Sequence, residues 1–87
     1  MNEVDEYAPA TAPRLTTRQR EILAFEKRRW RDAGAKQQAM RAELGLSEVR
    51  YYHMLAELLD NPAALEAEPA LINRLRRARE ARRRSRT

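Results

Sequence analysis

Val49, Arg50, Tyr52 and His53 fall within five consecutive positions. Their chemistry is that of recognition rather than turnover. Arginine can grip a guanine edge with two parallel N–H bonds, and valine can meet a thymine methyl. Tyrosine and histidine can reach phosphates or base edges. Lys36, Gln37 and Ser47 stand close to predicted helix starts, where backbone N–H groups favour phosphate. A second set lies further on: Arg74, Arg76, Arg77, Arg79, Arg82, Arg83, Arg84 and Arg86, against a single acid, Glu80, between residues 70 and 87. Guanidinium groups at that density repel one another, and a polyanionic partner is the simpler account of them. Each phosphate contact they make on duplex DNA would add about 0.9 to the salt slope. Such contacts attract and position without reading sequence.

Catalytic chemistry has no foothold. His53 is the single histidine, and there is no cysteine to join it around a metal. Gly34 and Gly45 stand alone, so no glycine-rich phosphate loop exists. The carboxylates are scattered among arginines in the manner of surface pairs. No catalytic residue, metal or cofactor is expected.

The elements that must position these residues follow from hydrophobic periodicity. Thr16 and Gln19, three apart, form a capping box that opens a first helix. Ile22, Phe25 and Ala33 share a face of it, Leu23 and Trp30 widen that face, and Gly34 is expected to end it. Arg20, Lys27, Arg28 and Arg31 stripe the other side, read as a solvated face. Glu26 and Arg29 fall inside the apolar arc, as a rim pair or a mark of where the C-terminal helix or a second subunit packs. A second helix is expected over 36–44, with Met40 and Leu44 inward and Ala39 free for close packing. Gly45 suits the corner, because glycine tolerates a left-handed backbone. Ser47 caps a third helix with Tyr51, Met54, Leu55 and Leu58 inward. Asn61-Pro62 ends it and starts a short helical segment. Glu68-Pro69 opens a last helix with Leu71, Ile72, Leu75 and Ala78 on its apolar face.

The expected fold is all-α: a three-helix helix-turn-helix bundle with an additional C-terminal helix. The divisions are 1–13, a flexible acidic arm; 14–60, the helix-turn-helix core; 61–79, a short helical segment and the C-terminal helix packed on it; and 80–87, a basic tail. The chain of 87 residues carries net charge +5, with a pI near 10.4. That charge is uneven: residues 1–12 hold Glu3, Asp5 and Glu6 and no base. No apolar run approaches the ~20 residues that span a bilayer, so no membrane partner is expected. The absence of cysteine suits a reducing cytoplasm.

Two features qualify the helix-turn-helix. Four positions before the turn glycine the general pattern has a small residue, and here stands Arg41, with Ala42 as a substitute if the helix is rotated. An ordinary helical hairpin would give the same pattern. The third helix is also net acidic, with Arg50 against Glu48, Glu57 and Asp60, which suits a phosphate-lined groove poorly.

Leu15-Thr16-Thr17-Arg18-Gln19 followed by AELGLSEVRYYHML resembles the helix-turn-helix domains of sigma-factor region four and of response-regulator output domains. The span from Leu15 to Arg83, through LAFEKRRW, GAK, LSEVRYYHML and LLDNPAALEAEPALINRLRRAR, resembles a family of small actinobacterial proteins of unassigned function. That resemblance implies a helical, helix-turn-helix-like protein of a bacterial cytoplasm.

The reading that follows is a small DNA-binding protein, a transcriptional regulator or nucleoid-associated factor. Val49, Arg50, Tyr52 and His53 would stand on the base side. Lys36, Gln37, Ser47, Arg74, Arg77, Arg82, Arg83, Arg84 and Arg86 would stand on the backbone side. The alternatives are a protein-interaction module that engages RNA polymerase or another transcription protein, and RNA binding through the basic tail. A homodimer would be a route to two half-sites.

Overall fold

The computed structural model describes residues 14–86; the acidic arm, 1–13, lies outside them. Among the described residues the architecture is all-α, with five α-helices: α1 (Thr17–Lys27), α2 (Ala33–Ala39), α3 (Glu48–Leu58), α4 (Pro62–Ala67) and α5 (Pro69–Arg86). α2 runs on into a single π-helical turn, Met40–Leu44.

The capping box at the start of α1 is complete. Gln19 N donates to Thr16 Oγ1 at 3.0 Å, and Thr16 N donates to Gln19 Oε1 at 2.8 Å. The end of α1 departs from expectation. The helix stops at Lys27 rather than at Gly34, because Arg28 adopts an extended backbone, φ −75° and ψ 155°. That break turns Trp30 back onto Phe25, with ring centroids 4.7 Å apart. The Arg28 guanidinium then lies 4.3 Å from the Trp30 ring centroid and bonds both carboxylate oxygens of Glu43, at 2.6 and 3.3 Å. These contacts, one of them with Glu43 15 residues away, override a stretch with no local helix breaker. Ala33 and Gly34 belong to the first turn of α2 instead, which Asp32 caps by accepting from Ala35 N at 2.8 Å.

The corner after the π turn is as its glycine requires. Gly45 has φ 67°, Gly45 N donates to Arg41 O at 3.0 Å, and Leu46 N donates to Met40 O at 3.3 Å. These two bonds tie off carbonyls left at the helix end. Arg41 and Ala42 are both exposed. The inward positions are Met40, 1% exposed, with Ala39 and Leu44 partly buried against the core. Arg41 therefore does not wedge the helices apart, and Ala42 does not take its place. Ser47 then caps α3, its hydroxyl accepting from Arg50 N at 3.2 Å.

Ile22, Phe25, Met40, Tyr51, Leu58 and Ile72 are the centre of the core, each at most 3% exposed. Burying a large apolar side chain contributes about 1.5–3 kcal/mol. Asn61 caps α4 through Ala63 N at 2.8 Å, with Pro62 in its first turn. α5 buries Leu71 and Ile72, with Leu75 partly buried. Arg76 Nε donates to Leu59 O at 2.7 Å, and Arg79 pairs with Asp60 at 3.4 Å. The arginines beyond Ala78 are thus a continuation of the helix through Arg86, with residues 80–86 exposed.

Candidate nucleic-acid interface

The solvent side of α3 carries Val49, Arg50 and His53. On a helical projection these positions lie within about 100° of one another. Val49 is 80% exposed. His53 Nε2 stands 3.5 Å from Glu57 on the same face. Tyr52 is turned to the flank. Its ring meets Tyr51 edge-on at 5.0 Å, and it shares a groove between α3 and α5 with Leu55, Leu59, Leu75, Arg79 and Arg82. That groove has a volume of about 250 Å³ and an apolar floor.

The residues expected near the backbone divide. Lys36 Nζ donates to Glu26 at 3.0 Å, with 17% and 11% of the two side chains exposed. Burial works against the Lys36 charge, but hydrogen bonds to Tyr52 and Glu26 and their charges outweigh it, and its pKa is raised. Gln37 Nε2 donates to Glu48, and the Ser47 hydroxyl accepts from Arg50 N. Lys36 thus ties α2 to α1, Gln37 ties α2 to α3, and Ser47 caps its own helix. Glu26 takes Lys36 and the Tyr51 hydroxyl as its partners, so the expected Glu26–Arg29 rim pair is absent.

Arg74 and Arg77, with Lys27 of α1, line one side of a depression of about 480 Å³. Around Lys27 and Arg74 it meets a second, of about 530 Å³, whose other basic residues are Arg28, Arg29 and Lys36. Together they bring six cations against two carboxylates, Glu26 and Glu68. Arg82 borders the α3–α5 groove instead, while Arg83 and Arg86 are exposed on the last turns of α5. Arg84 Nη1 approaches Glu80 at 3.8 Å.

Residues 14–87 match the model of a family described as a protein of unknown function, DUF3263. The chain belongs to that family. No curated protein and no solved structure matches it. In this DUF3263 member the matched span takes in all five helices and every arginine of α5, and it begins after the acidic arm.

Sequence reasoning missed the junction of α1 and α5. The stripe Arg20, Lys27, Arg28 and Arg31 is exposed, as a solvated face should be, and most of it also pairs across the surface. Arg20 donates to Leu15 O at 2.8 Å, Lys27 pairs with Glu68 at 3.1 Å, and Arg28 is bound by Glu43. Only the pairing of segments 41 residues apart brings Lys27 beside Arg74. A basic residue at each site was the one visible signal. No helix among the described residues is long and apolar enough to cross a membrane.

Proposed function

We propose that this protein binds DNA, as a small transcriptional regulator or nucleoid-associated factor of the bacterial cytoplasm. α2 and α3 would act as a helix-turn-helix, and α5 would supply most of the attraction. The observation that carries this reading is the disposition of α5. Arg74 and Arg77 join Lys27 and Arg29 in a shared basic depression, and Arg82, Arg83 and Arg86 continue along the same helix into solvent. A surface so charged draws a polyanion by releasing its counterions.

The solvent side of α3 would supply selectivity, through Arg50, Val49 and His53, with Tyr52 at its edge. Lys36 and Gln37 would act from behind, since their polar ends are bound to Glu26 and Glu48.

The test is fluorescence anisotropy on random duplex DNA at two salt concentrations. The full chain should bind at low salt and weaken steeply at high salt, and absence of binding at low salt rules DNA out. Arg50→Ala with Tyr52→Ala should reduce convergence in a selection from a random pool. If it leaves both selection and affinity unchanged, α3 does not read DNA.

A second reading is a protein-interaction module that engages RNA polymerase or another transcription protein. The apolar floor of the α3–α5 groove and the net acidic α3 favour it. Single-stranded RNA in the same titration tests the third reading, and equilibrium sedimentation tests a homodimer.

A further inference from the structure

The groove between α1 and α5 begins where the described chain begins. Leu15, Arg20, Leu23, Ala24 and Lys27 line a depression of about 180 Å³ together with Ala67 at the end of α4 and Glu68. Lys27 and Glu68 also border the larger depression that holds Arg74 and Arg77, and Lys27 and Arg74 border the one that holds Arg29. The three adjoin at Lys27. Side by side they make a trough, mostly apolar at the Leu15 end and basic at the other, with the Lys27–Glu68 ion pair where the two parts meet. Arg29, Arg74 and Arg77 have no carboxylate partner among the described residues.

The segment that precedes Arg14 in the sequence carries the complementary order. Next to Arg14 come Tyr7-Ala8-Pro9-Ala10-Thr11-Ala12-Pro13, with no charge, and before them Glu3, Asp5 and Glu6. The distance from Leu15 to Lys27 along α1 is about 18 Å at helical rise. Seven extended residues reach about 23 Å. The neutral stretch is therefore long enough to carry the acids to Lys27, Arg74 and Arg77.

We propose that the acidic arm docks in the α1–α5 trough of its own chain, its neutral part along Leu15 and Leu23 and its carboxylates on Arg74, Arg77 and Arg29. The arm is then an internal competitor for the polyanion of the proposed function, on which this second part of the inference rests. Tethering through a short linker gives the carboxylates a millimolar-range local concentration. Solvent-exposed pairs are individually weak, so the arm yields to a long polyanion and excludes short or weak ones. DNA binding would be graded by salt and by anything that alters the arm's charge.

The chain contains no cysteine, so Val4→Cys gives one site for a nitroxide label in the full-length protein. At low salt the label should broaden the backbone amide signals of Lys27, Arg74 and Arg77 and spare those of Val49 and His53. The triple variant Glu3→Gln, Asp5→Asn, Glu6→Gln should lose this broadening. Absence of broadening at low salt, or equal broadening of α3, overturns the docking. The unlabelled triple variant should bind duplex DNA about threefold to tenfold more tightly than the parent at low salt, and equal affinity overturns the competition. If neither chain binds duplex, the DNA reading fails by itself and the broadening pattern still decides the docking.

Discussion

The Tyr51 hydroxyl donates to Glu26 Oε1 at 2.6 Å, joining α3 to α1 across 25 residues of chain. Lys36 donates to the same oxygen from α2 at 3.0 Å. One carboxylate thus fastens three helices at the edge of the core. Tyr51→Phe keeps the ring, which is fully buried against Phe25, and removes the donor. Hydrogen bonds to charged groups contribute about 1.5–3 kcal/mol. Urea denaturation should show a loss of that size with an unchanged denaturant slope. Glu26→Gln should cost more, because it also leaves the Lys36 ammonium without its counter-charge.

The same cluster sets the response to alkali. Burial raises the Tyr51 pKa, and so do the hydrogen bond to Glu26 and its charge. Lys36 is also raised, its hydrogen bonds to Tyr52 and Glu26 prevailing over burial. Both groups keep their protons to higher pH in the folded chain than in the unfolded one. The stability they lend is complete below about pH 10, where the unfolded groups are still protonated, and is lost as pH rises beyond it. Thermal melts between pH 8 and 11.5 should show a falling Tm above pH 10. Tyr51→Phe should flatten that fall.

On the acid side the Arg28–Glu43 pair contributes. The hydrogen bond from Arg28, with its charge, holds the Glu43 carboxyl below its ordinary value. Stability from this pair is present above the usual carboxylate range and is lost as pH falls through the depressed value. Glu43→Gln should remove that part of the acid dependence of the melting temperature, and the difference from the parent should shrink in high salt.

The two glycines should answer a Cβ with opposite signs. Gly45, at φ 67°, has open space around a built Cβ, so Gly45→Ala pays only for its left-handed backbone. That cost is about 1–2 kcal/mol. Gly34 lies in α2, and its Cβ would meet Asp32 Oδ1 at an ordinary 3.5 Å. Gly34→Ala should therefore be neutral or stabilise by up to about 1 kcal/mol. Chemical denaturation of the two variants side by side measures the contrast.

For duplex binding, Arg82→Ala, Arg83→Ala and Arg86→Ala combined should lower the salt slope by about 0.9 for every phosphate contact removed. The loss should be uniform across DNA sequences. Helix content by circular dichroism should scarcely change, because these side chains lie beyond the last buried residues of α5, Leu71 and Ile72.

The sequence by itself determined the beginnings of α1, α3 and α4, though not that of α2, which starts at Ala33 rather than near Lys36. Thr16 with Gln19, Ser47, and Asn61 before Pro62 act on backbone groups two or three residues away, and Gly45 acts on its own φ. Inward positions followed from periodicity, so Tyr51, Leu55, Leu58, Leu71 and Ile72 were legible. Exposure of Val49, Arg50 and His53 on one side of α3 was legible for the same reason.

Tertiary structure alone decided where α1 stops, which way Arg28 faces, and which cations find a carboxylate among the described residues. No local breaker marks Arg28; Phe25, Trp30 and Glu43 together make the extended backbone there favourable. Packing also sets the Lys36 ammonium against Glu26. With 18 Lys and Arg and 13 Asp and Glu in the chain, composition admits many pairings. A cap bond spans a few residues of one helix and is written locally. An ion pair depends on which surfaces the core has already brought within about 4 Å, and that distance exists only once the helices have packed.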